Sequence, residues 1–256
     1  MSLAACRALV EQGDPDRALV TAGAGDAAQA VLWPLWAFNL EVARAPWASR
    51  EPMVAEMRLQ FWADAVDRLG DGQAPAGHPV LAPLAEALAG RSVQPLAALV
   101  EARRRDVWRE AFPDAAALED YLDATAGGLM WQAAQALGAP AAAEPVVRDF
   151  GWGAGLAAWL RAVPDLHARG YAPLPDTAPE ATAALARAGL ARIARARAAR
   201  GAVPATAFPA LATGWQAAAV LRLAARDPGR VAQGRLTRSE FARRGGLAWA
   251  ALTGRW

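Results

Sequence analysis

The chain has 256 residues, enough to bury a large core, and its 55% hydrophobic and 20% charged content excludes a disordered majority. Its 27 basic residues, all arginine, are nearly balanced by 25 acidic ones for a net charge of +2, so no nucleic-acid footprint is expected. A single cysteine, Cys6, allows no internal disulfide and builds no metal site, as befits a reducing cytosol.

The absence of lysine beside abundant Ala, Gly and Pro reads as the output of a GC-rich genome, which weakens any argument from arginine number. The opening MSLAACRALVEQGDPDR is too polar for a signal peptide, and no apolar run of about 18 residues offers a bilayer span. The expected location is cytoplasmic, with peripheral contact to the inner membrane left open.

In chain order, Ala4 to Gln12 reads as a short helix ended by Gly13 and the turn Asp14-Pro15-Asp16, with Asp16 as cap of a helix from Arg17 to Thr21. After Gly23 to Gly25, Asp26 is placed to cap a helix through Trp33, Trp36 and Leu40 that contains Pro34. Pro46 ends it, and Pro52 opens the next.

In that next helix, Val54 to Leu69, a spacing of about 100° per residue gathers Leu59, Met57, Phe61, Trp62, Ala65, Val66 and Leu69 on one apolar arc. Glu56, Gln60, Asp64 and Asp67 fall opposite. Arg58 lands inside the arc, where a guanidinium needs an anionic partner, a ligand, or a snorkelling stem. A structural ion pair is favoured over a ligand contact.

Asp71 to Pro79 is a loop, followed by helices from Val80 to Ala89 and from Pro95 to Ala111. Ala116 to Leu137 reads as one long helix with Gly127-Gly128 inside, a pair that marks close packing or a kink. Glu144 to Val163 is another, stopped by Pro164, with Asp165 to Pro175 as a loop. Pro179 to Arg200, Ala210 to Arg226 and Arg230 to Leu252 complete the series. No stretch alternates as a strand does. The predicted class is all-α: one domain over residues 1–256, of about nine or ten helices.

Few motifs carry chemistry. The GAGD near Gly23 lacks the spacing of a phosphate loop, and no GxSxG occurs. His78 and His167 are expected in loops, apart from each other and exposed. The arginines from Arg187 to Arg200 scatter around their helix, so no basic membrane face is expected there. The remaining candidate metal ligands are Asp64 with Asp67, and Glu119, Asp120 and Asp123. Each set also reads as a solvated helix face.

The order of segments resembles the squalene/phytoene synthase family, all-α prenyltransferases of the isoprenoid synthase superfamily. WPLWAFNLEVARA resembles the family's first aspartate-rich helix and MRLQFWADAVD the helix after it. LEDYLDATAGGLMWQAAQALG resembles the helix with Tyr and a small-residue segment. GAGLAAWLRAVPDLHARGYAPLP resembles the second aspartate-rich helix with its Arg-Gly-x-Tyr-x-Pro loop. The resemblance implies a bundle around a central cavity, with pocket positions at Arg58, Gln60, Trp62, Tyr121, Gly127, Gly128, Arg161, Asp165 and Tyr171.

It also implies two carboxylate clusters holding Mg2+ against a diphosphate. Here the first cluster is replaced by the stretch containing Ala43 and Arg44, and the second by Ala158 and Ala162. The resemblance is therefore nearest to the family's non-catalytic branch, which includes an assembly factor of respiratory complex I.

Three functions compete. The first is a pseudoenzyme with no cofactor, acting on a membrane respiratory complex or carrying an isoprenoid lipid. The second is a Mg2+-dependent prenyltransferase that condenses prenyl diphosphates through displaced ligands. The third is a helical protein-interaction module. The loss of both clusters with the scaffold signals retained favours the first.

Overall fold

The computed structural model describes residues 3–73 and 77–256, so residues 74–76 of the predicted loop fall outside it. Among the described residues the chain is all helix, as the sequence predicts. The helices are α1 (Leu3–Gly13), α2 (Pro15–Ala22), α3 (Asp26–Arg44), α4 (Pro52–Gly70), α5 (Leu81–Leu88), α6 (Gln94–Ala102), α7 (Arg104–Trp108) and α8 (Ala115–Leu122). They continue as α9 (Gly128–Ala136), α10 (Glu144–Ala168), α11 (Pro179–Ala198), α12 (Phe208–Ala212), α13 (Ala217–Arg226), α14 (Gly229–Ala232) and α15 (Glu240–Thr253).

The number exceeds the predicted nine or ten, and four of the expected helices each appear as two α segments. The Pro95–Ala111 stretch divides at Arg103, and α7 closes on Arg109 in the left-handed region at φ 52°. Ala210–Arg226 is interrupted by the turn at 213–216, and Arg230–Leu252 by the segment 233–239. The long helix from Ala116 holds together, but as α8, one turn of π-helix at Asp123–Gly127, and α9. A π turn inserts one residue's worth of rotation and is commonest beside functional cavities.

One boundary is overrun. Pro164 sits inside α10 rather than ending it, so Asp165 and His167 are helical, not in a loop. The stop comes at Gly170, φ 76°, where the Tyr171 N–H donates to the Leu166 carbonyl in a Schellman closure. Pro164 removes one backbone hydrogen bond, while burial of Trp159, Leu160 and Val163 keeps the helix continuous past it.

The 25-residue α10 is the axis of the molecule, packed on α11, α13, α9 and the π turn. The principal core runs from Cys6 to Trp256, with Trp33, Trp36 and Trp152 its largest fully buried side chains. The indole N–H groups of the last two are satisfied, Trp36 donating to Thr21 Oγ1 and Trp152 to the Glu119 carbonyl.

Cys6 is fully buried on α1, and burial pushes its thiol up to about 11. We expect no labelling by a thiol reagent at pH 8 in the native protein and rapid labelling in denaturant. The folded value is raised, so the thiol's contribution is complete below about pH 9 and is lost as the pH climbs towards 11. The difference amounts to about 2–3 kcal/mol. Urea titrations across that window check this: Cys6→Ala removes the component of the decline that the thiol causes.

Candidate functional site

A cavity of about 910 Å³ lies beside α10, whose wall is a stripe of small residues: Gly151, Ala154, Gly155, Ala158 and Ala162, with Arg161 beside them. Spacings of three and four place these on one helix face. The π turn and its flanks supply the facing wall, through Tyr121, Leu122, Thr125, Ala126, Leu129 and Met130. Buried Leu122, Leu129, Met130 and Val220 make the interior apolar.

The outer part is charged. Asp16 is its hub. It accepts from Gln216 Nε2 at 2.7 Å and from Arg161 Nη1 at 3.5 Å, and it pairs with Arg243 of α15, which also pairs with Glu240. The expected cap role of Asp16 is taken by Asp14, which accepts from the Arg17 N–H at 3.0 Å and starts α2. Relieved of capping, the Asp16 carboxylate turns to the cavity.

Arg103 and Tyr121 also line the cavity and form an ionic cluster with the buried Asp106. Arg103 Nη1 donates to Tyr121 Oη at 2.6 Å and to Asp106 Oδ2 at 3.1 Å, and Tyr121 Oη donates to Asp106 Oδ2 at 2.8 Å. Asp106 is 2% exposed. Burial pushes the Tyr121 hydroxyl well above its usual value, with the Asp106 charge adding to the shift and Arg103 opposing it. Burial also raises Asp106, against the pull of Arg103 and Tyr121. Burial opposes the charge on Arg103, yet Tyr121 and Asp106 more than offset this and hold its pKa above the ordinary value. Trp159 and Phe112 pack on the Tyr121 ring, at centroid distances of 5.1 and 5.4 Å.

Of the predicted pocket residues, Tyr121 and Arg161 line the cavity. Arg58 does not, and it is not buried: the inward stripe of α4 is Ala55, Leu59, Trp62, Ala65 and Val66, while Met57 and Phe61 are exposed. The buried arc is thus rotated away from the predicted one, because α4 packs on the Ala45–Trp47 turn and α6, and Arg58 is left in solvent. Gln60 is exposed, accepting from Arg104 and donating to Asp64. Trp62 is core, edge-on to Phe38.

Gly127 and Gly128 lie at the end of the π turn and the start of α9, off the cavity wall. Asp165 is exposed on α10 and does not line the cavity. Tyr171 is buried against Trp159 and Trp47, adjoining the cluster but not the cavity.

The degenerate positions divide. Ala158 and Ala162 do face the cavity, whereas Ala43 and Arg44 do not, Arg44 pairing loosely with Glu41. The position of α3 that faces the cavity is Asn39, one turn earlier, 9% exposed. The displaced ligands are also elsewhere: Asp64, Asp67 and Asp120 are exposed, Glu119 pairs with Arg192, and Asp123 with Arg148. None lines the cavity.

Among the described residues no group of three or more His, Cys, Asp or Glu is placed to hold a metal ion. The residues present do not fit Mg2+. Alanine carries no donor, Asn39 offers only a neutral amide, and the three lining carboxylates are engaged, Asp14 by Arg17, Asp16 by two arginines and an amide, and Glu240 by Arg243 and Arg244. What the arrangement offers is an apolar chamber under a polar rim whose carboxylates are paired with arginine.

Sequence reasoning missed Asp16, Asn39, Arg103, Asp106, Gln216, Arg238 and Arg243. Two left a signal. Asn39 is the one strongly polar residue in the run Val31–Leu40, and Arg103 with Asp106 form an i,i+3 pair.

The squalene/phytoene synthase family model matches residues 10–236. A Drosophila melanogaster protein described as an NADH dehydrogenase (ubiquinone) complex I, assembly factor 6 homolog is 31% identical over 167 residues. That match covers 62% of this chain and 50% of the relative, so the chain spans about half the length of the curated relative it matches. A crystal structure of a dehydrosqualene synthase in complex with ligand superposes with a TM-score of 0.79 at 14% identity, over 98% of this chain and 95% of the other, a likeness of fold. With a bundle of that fold, a cavity at its centre and a family match over residues 10–236, the chain belongs to the squalene/phytoene synthase family.

Proposed function

We propose that this protein is a catalytically inactive member of its family that acts in the assembly of a membrane respiratory complex, its cavity kept as a chamber for an isoprenoid lipid. The observation that carries the reading is that Ala158 and Ala162, where the resemblance places the family's second carboxylate cluster, face the cavity without a metal donor. Ionising a diphosphate needs several positive charges brought to the leaving group. Here four of the five arginines that line the cavity are engaged by carboxylates, Arg161 and Arg243 by Asp16, Arg17 by Asp14 and Arg103 by Asp106. The likeness to a relative described as a complex I assembly factor homolog supports the assembly role. The protein works without a cofactor, at the cytoplasmic side of the inner membrane and peripheral to it.

Purified protein with Mg2+ and farnesyl or geranylgeranyl diphosphate is expected to release no inorganic diphosphate above the protein-free rate. Sustained turnover overturns the inactive reading. Deleting the gene in its host is expected to reduce assembled NADH dehydrogenase on native gels, and an unchanged complex overturns the assembly role.

A further inference from the structure

The last helix is built inside out. On α15, at about 100° per residue, Phe241, Gly245, Ala248, Trp249 and Leu252 share one side, and Ala250, its one buried residue, lies opposite. The side turned from the protein body is therefore the apolar one: Phe241 is 89% exposed, Trp249 64% and Leu252 85%. A helix of a globular protein ordinarily buries such a stripe.

α15 is also held at both ends. Arg243 pairs with Asp16, and the Trp215 indole donates to the Arg243 carbonyl. Beyond the helix Trp256 returns to the core against Phe150, its carbonyl accepting from Arg197 Nε at 2.6 Å. The face is presented by a tethered element.

Its charge selects the occupant. Of the arginines in residues 228–256, Arg230 is taken by Asp227, Arg243 by Asp16 and Arg238 by the cavity wall, which leaves Arg235, Arg244 and Arg255 exposed against one carboxylate side chain, Glu240. Arg244 stands on the flank of the face, 82% exposed, and the exposed Arg255 follows it at the C-terminal end, whereas Arg238 turns to the cavity. An apolar stripe of Phe, Trp and Leu bordered by arginine is complementary to a lipid surface carrying negative headgroups.

We infer that α15 seats this protein on an anionic lipid surface through Phe241, Trp249 and Leu252. Glu240 and Arg243, on the other side of α15, line the cavity, so the seated helix stands between the lipid and the cavity rim. The inference rests on the peripheral placement proposed above and names the surface responsible for it. Vesicle binding is read on the purified chain alone, so its failure and failure of the assembly role are distinguishable.

The test is co-sedimentation with vesicles of phosphatidylcholine mixed with phosphatidylglycerol. The intact chain is expected to bind these and not pure phosphatidylcholine. The triple substitution Phe241→Ser, Trp249→Ser and Leu252→Ser weakens binding by about tenfold or more. Arg244→Ala and Arg255→Ala each weaken it about fivefold and reduce its salt dependence. Circular dichroism checks that the variants fold. Since Cys6 is buried, Trp249→Cys accepts an environment-sensitive dye selectively, and its emission is expected to shift to the blue on vesicles.

Absence of binding by the intact chain, equal binding to neutral vesicles, or a triple variant that binds as the parent does would each overturn the proposal. So would a dimer in light scattering that the triple substitution turns to monomer, since the face would then belong to a second copy.

Discussion

Asp106→Ala is expected to destabilise the fold by about 3–5 kcal/mol in urea denaturation, among the largest losses from any single truncation in this chain. Arg103 cannot shed its charge, and its partners at that site are Asp106 and the Tyr121 hydroxyl. Deleting the carboxylate leaves the Arg103 guanidinium, its side chain only 18% exposed, with a neutral phenol, which cannot balance it. Most of the cost is the uncompensated charge, not the worth of the pair. Replacing both residues by apolar ones, as in Arg103→Met with Asp106→Leu, is therefore expected to recover most of the loss. Tyr121→Phe, which removes one donor and keeps the ring between Trp159 and Phe112, costs about 1–2 kcal/mol. A double variant as unstable as Asp106→Ala would show that packing, not charge, dominates the cluster.

Gly155→Ala is the second. A Cβ at Gly155 would stand 2.3 Å from the Ala126 Cβ, and one at Gly151 would stand 2.9 Å from the Met130 Cβ and 3.0 Å from the Ala126 carbonyl oxygen. Alanine is the better helix former by about 1 kcal/mol, so an exposed helical site would gain from this change. Here neither methyl can rotate aside, so the π turn and α10 must separate. Overpacking of this kind costs up to about 3 kcal/mol, for a net loss of about 2 kcal/mol. Adding Ala126→Gly should restore much of it, since the clash is between those two carbons. Thermal melts of the two single variants and the pair decide it, and additive losses would place the strain elsewhere.

The sequence carries the helical class on its face. Periodic apolar residues over nearly the whole chain, with Pro opening α4 and α10 and Gly closing others, leave no room for a sheet. It also carries the absence of donors at Ala158 and Ala162, because a residue without a ligand atom has none wherever it is placed. Helix existence is local, set within a few turns by periodicity and by start and stop residues.

The site was less legible. For α4 the composition allows more than one buried arc. Which of Met57 and Phe61 or Ala55 and Leu59 turns inward depended on where the Ala45–Trp47 turn and α6 lie, and that decided against burying Arg58. The cavity-facing residue of α3 moved one turn, from Ala43 to Asn39, for the same reason. The partnership of Asp16 with Gln216 and Arg243 spans 200 and 227 positions, and no local pattern announces it.

The sequence alone determined an all-helical chain whose second expected carboxylate cluster carries no metal ligand. Tertiary structure decided which polar residues surround the cavity, that Arg103 and Asp106 are neutralised inside the protein, and that α15 shows its apolar side to the outside. The reason is physical. Secondary structure answers to neighbours within a turn or two, while the facing of a side chain answers to whatever else the fold packs against its helix.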